Sequence, residues 1–240
     1  FWPYPCGPTI MEANPQLRFW AICNNWPPLF KICQTSKTKL ICLWNFTKNK
    51  CDTALPKIIK WKNDTNYVGD TYTTELCFSL IYSTTLDPKL RFFQYRLLHR
   101  TITTNYLLQK WNPVQSNICS FCSNNPETLS HLFLQCPITR NIWNDFERWW
   151  YQNSRIQLTL TNCEIIFGFG TKSPLNSLKN TLILVTKQYI YSCRCRGLVP
   201  YIDSLISRFS QTFKIEKIIA LSKNKLQFHN IKWQLLADSL

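Results

Sequence analysis

The sequence predicts a mainly α fold, and three observations carry that reading. Apolar residues recur at helical spacing in several separate stretches. Asp-Pro, Pro and Gly stand at the edges of those stretches, where helices start and stop. A tight Cys and His spacing sits between two helix-like segments, as a staple would.

Taken in order, residues 1–35 are rich in Pro and Trp (Trp20, Trp26, Pro27, Pro28) and suggest short helices or irregular packing. The chain from 48 to 74 is polar and broken, with Asn63-Asp64 and Gly69-Asp70 as turn signals. Residues 55–61 form a short helical element just ahead of them. A helix is expected over 74–84, with Glu75 in its first turn and Leu76, Leu80 and Tyr82 as apolar positions. Asp87-Pro88 is an N-cap followed by Pro at the first helical position. Leu90, Phe93, Leu97 and Leu98 then share one helical face, with Arg91, Gln94, Arg96, His99 and Arg100 on the other side. The Thr-rich stretch 101–105 ends this helix and caps a second over 106–111.

Pro137 opens a further helix carrying Ile142, Trp143, Phe146, Trp149 and Trp150 near one side. Gly168 and Gly170 bracket a loop after Ile165-Ile166-Phe167. A long helix is expected from about 175 to 196, stopped by Gly197 and Pro200, and another to about 223. Its apolar positions are Ile202, Leu205, Ile206, Phe209, Phe213, Ile218 and Ile219. Three segments follow from this pattern: 1–86, helical or irregular; 87–150, a helix-turn-helix with the Cys/His staple; and 151–240, a basic helical tail.

Composition narrows the function. The 240 residues are 45% hydrophobic and 15% aromatic, enough for a packed core and too aromatic for a disordered chain. Apolar runs are short, Leu182 to Val185 being an example, so no segment reads as a membrane span. The chain starts at Phe1 without signal-peptide features and reads as a segment of a longer frame. Its net charge is +15, and residues 172–232 hold eleven basic residues against Asp203 and Glu216. Dispersed positive charge favours polyanions, because neutralising phosphates releases counterions; a solvated basic surface is the alternative. Of twelve cysteines, Cys6, Cys23, Cys33, Cys42, Cys51, Cys77 and Cys163 stand singly among apolar residues, as buried thiols do. A reducing, intracellular setting fits them, cytoplasmic or nuclear.

Cys119-Ser120-Phe121-Cys122 is followed by His131 and Cys136, a C-x2-C-x8-H-x4-C spacing. The Cys-x2-Cys turn puts two thiolates on one side of a metal, and three thiolates with an imidazole fill a tetrahedral Zn²⁺ shell. Such a closed shell is structural, since catalysis by zinc needs an open position. A redox Cys-x2-Cys pair would follow a strand in a βαβ unit, which this context lacks. The fold class is therefore a helical segment stapled by a small CCHC zinc module. Cys193-Arg194-Cys195 could be a second ligand pair, but no matching pair lies near it in sequence, and buried or spare thiols are the stronger reading. No paired carboxylates, Gly-rich phosphate loop or catalytic triad occurs, so the chain reads as non-enzymatic.

The run 93–100, Thr103-Thr104-Asn105-Tyr106-Leu107-Leu108, Cys119-Ser120-Phe121-Cys122, the stretch from Pro126 through Cys136, and Trp143 together resemble the C-terminal region of LINE-type (non-LTR) retrotransposon reverse transcriptases. Lys187-Gln188-Tyr189-Ile190-Tyr191 and Lys232-Trp233 are similar to the tail of that region. The resemblance implies Cys119, Cys122, His131 and Cys136 as zinc ligands, in a module that follows the polymerase thumb and grips template RNA or target DNA. The Tyr/Phe-x-Asp-Asp polymerase motif is missing from this chain, so the resemblance implies binding without catalysis, alongside the remainder of the polyprotein. Arg91, Arg96, Arg100, Lys110, Arg140 and Arg148 are the candidate phosphate contacts, with Trp111 or Phe121 able to stack on a base. A purely structural or protein-interaction remnant is the rival reading.

Overall fold

The computed structural model describes residues 51–170, 173–237 and 239, and residues 51–240 form one compact unit. The irregular packing expected for 1–35, and Cys6, Cys23, Cys33 and Cys42, lie outside the described residues. In order, the elements are α1 (Cys51–Asp64), α2 (Thr74–Thr84), α3 (Pro88–Leu98), α4 (Asn105–Trp111), a π-helical turn (His131–Gln135), α5 (Pro137–Ser154), α6 (Asn162–Phe167), α7 (Pro174–Arg196), α8 (Ile202–Ser222), α9 (Leu226–Trp233) and a 3₁₀ turn (Gln234–Leu236). The described residues contain no strand, and the mainly α expectation holds. An isolated antiparallel bridge joins Ile118 to Pro126.

The helix ends follow local chemistry. Asp87 accepts from the Lys89 amide and Pro88 fills the first turn of α3. Thr73 accepts from Leu76 N at the start of α2, and Ser173 from Asn176 N at the start of α7. α7 stops at Gly197, whose φ of 65° is left-handed. The expected apolar side of α5 is buried: Ile142, Trp143, Phe146, Trp149 and Trp150 all lie in the core. Phe146 and Trp149 meet Phe209 of α8 at ring-centroid distances of 5.7 and 5.0 Å.

Four expectations need correction. α1 is longer than 55–61 and carries Pro56 inside it; Lys57, Lys60 and Asn63 face water while Ala54, Ile58 and Trp61 are buried at helical spacing. In α2, Tyr82 is exposed and Cys77, Leu80 and Ile81 are buried, so the face is rotated from the one expected. Gln94 is buried rather than on the polar side of α3, because its Nε2 donates to Ile166 O at 2.8 Å. Ile218 is 67% exposed. Two elements also escaped the sequence pattern: α9, and α6, which opens with a Thr161/Glu164 capping box and ends at Gly168, where the expected loop begins.

α7 is the central helix. It packs against α2, α3, α8 and α9, and residues 180–187 are buried all the way round, as a helix enclosed on every side requires. The core it anchors runs from Ile58 to Leu236, so helices on both sides of positions 86 and 150 share it. Gly168 (φ 87°) comes so close to α7 that a Cβ there would sit 2.6 Å from Asn180 Oδ1. That Asn180 amide is held by Phe169 N at 2.7 Å and Phe169 O at 3.0 Å, which clasps the α6–α7 loop to the helix.

Candidate metal centre

The centre is built by a turn, a bridge and a distorted helix. Cys119 N donates to Asn125 O at 2.8 Å and Ser123 N to Cys119 O at 3.0 Å, closing the Cys-x2-Cys turn, with Ser123 at φ 55°. Glu127 N donates to Asn117 O at 2.7 Å, so the chain doubles back and carries the second half of the motif over the first. An α-helix turns about 100° per residue, which would set His131 and Cys136 about 140° apart. The π turn His131–Gln135 removes that mismatch: Cys136 N donates to His131 O at 2.8 Å, and both side chains reach the same point. A single π turn at a functional site is a recurring use of this geometry.

The side-chain atoms of Cys119, Cys122, His131 and Cys136 all lie within 4.8 Å of one another. Cys119 Sγ is 3.9 Å from Cys136 Sγ, and Cys122 Sγ is 3.3 Å from His131 Nε2. A tetrahedral zinc ion with ordinary bond lengths sets sulfur–sulfur and sulfur–nitrogen separations of about 3.8 and 3.5 Å, so the donor set fits a four-coordinate metal. Cys119, His131 and Cys136 are buried and Cys122 is partly exposed. Among the described residues this is the one group of three or more such side chains placed to share an ion.

The electrostatics suit a cation. Burial pushes the Cys119 thiol up to about 12, so without a positive charge beside it the thiolate is strongly disfavoured; a bound metal deprotonates such a thiol outright. Burial acts the same way on Cys122, but hydrogen bonds from the Asn124 and Asn125 amides and with Cys119 and Cys136 together hold that thiol below its ordinary value. Burial lowers His131 against the opposing pull of Glu127, which favours the neutral imidazole that ligates metals.

The six candidate phosphate contacts scatter in role. Arg91 spends its guanidinium on backbone carbonyls, Nε to Thr85 O at 2.6 Å and Nη2 to Tyr82 O at 2.9 Å. Arg100 pairs with Asp64 at 2.7 Å, its side chain 12% exposed. Arg96 is half-buried and donates to Thr101 O at 3.1 Å. Lys110, Arg140 and Arg148 are exposed; Lys110 lies over the Tyr106 ring at 4.8 Å and Arg148 reaches Asp145 at 3.3 Å. Trp111 is exposed and Phe121 half-buried. Cys77, Cys163 and Cys193 are buried free thiols and Cys195 an exposed one.

Sequence reasoning missed three residues that brace the centre. Glu127 is fully buried and pairs with Arg194 at 2.8 Å. Asp64 accepts from the Ser130 hydroxyl beside His131. Nothing in local spacing announces pairs this far apart in sequence; the one cue was an acid sitting between the metal-ligating residues. Residues 66–143, which contain all four Cys and His, match the family described as zinc-binding in reverse transcriptase. No curated protein and no solved structure matches the chain.

Proposed function

We propose that this chain is a C-terminal segment of a LINE-type (non-LTR) retrotransposon reverse transcriptase, an intracellular CCHC zinc module with a basic helical tail that grips template RNA or target DNA without catalysing chemistry itself. The observation that carries the reading is the four-donor cluster lying inside the stretch that matches the reverse-transcriptase zinc family. Zinc held by Cys119, Cys122, His131 and Cys136 supplies a closed, structural shell with no position left for substrate. The chain's own residues then do the binding. Lys110, Arg140 and Arg148 offer exposed charge around the centre, and exposed Trp111 offers a stacking face. A net charge of +15 supplies sequence-independent affinity.

One observation favours the scaffold reading for part of this surface: Arg91 and Arg100 are tied to the protein itself. Fluorescence anisotropy with a labelled single-stranded RNA, titrated at several salt concentrations, separates the two. Lys110→Gln/Arg140→Gln/Arg148→Gln should flatten the salt dependence by about two contacts' worth. No binding by the parent at low salt ends the nucleic-acid reading. An unchanged slope in the triple variant moves the contact face away from the zinc module.

A further inference from the structure

We propose that Glu127 is the positioning residue of the metal centre: its carboxylate holds the Cys119–Cys122 turn in ligating shape, and Arg194 of α7 locks it there. The proposal rests on the zinc reading and deepens it.

The Glu127 side chain is 0% exposed. Oε2 accepts from the Ser120 amide at 2.9 Å and from the Ser120 hydroxyl at 2.8 Å, and Ser120 lies between the first two thiols. Oε1 accepts from Asn105 N at 2.9 Å, at the head of α4, and from Arg194 Nε at 2.8 Å, near the end of α7. Asn105 closes the circuit. Its Nδ2 donates to Ile118 O at 2.7 Å and to Ser120 Oγ at 3.1 Å, and its Oδ1 accepts from Arg194 Nη2 at 2.6 Å.

A carboxylate this far from water must be fully hydrogen-bonded. Here two donors come from Ser120, between the first two thiols, and the others from α4 and α7, so the carboxylate ties the ligand turn to both helices. Stability alone is a poor reason for the acid, because a buried ion pair gives little net stabilisation over an apolar pair of the same volume. Hydrogen bonds behind a ligand turn, by contrast, fix ligand orientation and slow metal loss. The same clasp joins the centre to the end of the central helix, so metal occupancy and the α7 terminus are mechanically linked.

The test uses the full chain loaded with one equivalent of zinc. It reads zinc release to a chromogenic chelator, the Co²⁺ ligand-field spectrum and thermal melting in parallel. Glu127→Gln and Arg194→Met should release zinc about 10–100-fold faster and shift the Co²⁺ bands. Ser120→Ala, at an exposed side chain, should do so more weakly. Glu216→Gln breaks a buried acid network elsewhere and should lower the melting temperature with release unchanged. Parent-like release and spectrum in Glu127→Gln overturn the proposal, as does equal acceleration by Glu216→Gln. If Glu127→Gln does not fold, Ser120→Ala decides, and release at the parent rate overturns the proposal. A parent that takes up no zinc fails the zinc reading itself, whereas uptake by the parent with unaltered release in the variants fails this proposal alone.

Discussion

The Arg100 guanidinium lies over Trp61, 4.1 Å from the ring centroid, while its Nη1 sits 2.7 Å from the Asp64 carboxylate. Trp61 in turn donates through Nε1 to Leu97 O at 3.2 Å. One cation thus joins α1 to the end of α3, and Asp64 passes the connection on to Ser130 beside the metal centre. Arg100→Gln should therefore cost about 1–3 kcal/mol, from the lost stacking and a carboxylate left short of a partner. Chemical denaturation reads the loss. A variant as stable as the parent would show that Arg100 serves a surface role.

Zinc content is the most direct check on the centre. Purified protein should hold one zinc per chain, and Cys122→Ser should lose most of it, because a three-ligand site cannot close the shell. Chelation should raise amide exchange over 115–150 before the rest of the chain, since ligand convergence is part of local folding. Full metal content and parent-like exchange in Cys122→Ser would sink the assignment.

Lys187 is wholly buried, donating to Gln94 Oε1 at 2.8 Å and Ile166 O at 3.0 Å. Burial lowers its pKa to about 7. Between that value and the usual lysine range the unfolded chain binds the extra proton, so this group's contribution to stability rises with pH. At and below neutrality the folded state carries a costly buried cation. Lys187→Met removes that cost but orphans two acceptors. Relative to the parent it should be better tolerated at pH 6.5 than at pH 9 by about 2 kcal/mol. Urea melts at both values measure the difference, and equal effects at the two would refute it.

Glu216 of α8 ties the α2–α3 connection to α9. Its carboxylate accepts from Lys232 Nζ at 2.8 Å, Trp233 Nε1 at 2.9 Å and Leu86 N at 3.1 Å, and from the Thr85 hydroxyl. Burial raises its pKa, yet Lys232, Thr85 and Trp233 outweigh that and leave it below the ordinary carboxylate value. Its contribution is present above the unfolded value and lost as pH falls through the lower folded one. Glu216→Ala should cost about 3–5 kcal/mol at pH 7 by stranding Lys232. Glu216→Ala/Lys232→Met should recover part of it, and a double variant worse than the single would contradict this account.

Primer extension with Mg²⁺ or Mn²⁺ should give no product from this chain, whose sequence contains no Tyr/Phe-x-Asp-Asp motif to hold the metals of phosphoryl transfer. Extension that persists through rigorous purification would expose an active site that carries none of the familiar motifs.

What the sequence determined by itself is local. The Asp87 cap and the Gly197 stop, the apolar faces of α3 and α5 and the spacing of the metal-ligating residues all act within a few turns, where periodicity and turn chemistry are legible. The tertiary structure decided where charge goes. Arg194 finds Glu127 across 67 positions, and Lys232 reaches Thr84 O across 148; Arg100, which reads as a surface cation on a helix, is drawn onto Trp61 and Asp64. The tertiary structure also decided the π turn, because nothing in the residues 131–135 demands the wider turn until Cys136 must meet the other three donors. A buried ion needs a partner, but the need does not specify which one. Chain topology supplies it, and a pattern of period 3.6 cannot carry information across sixty residues.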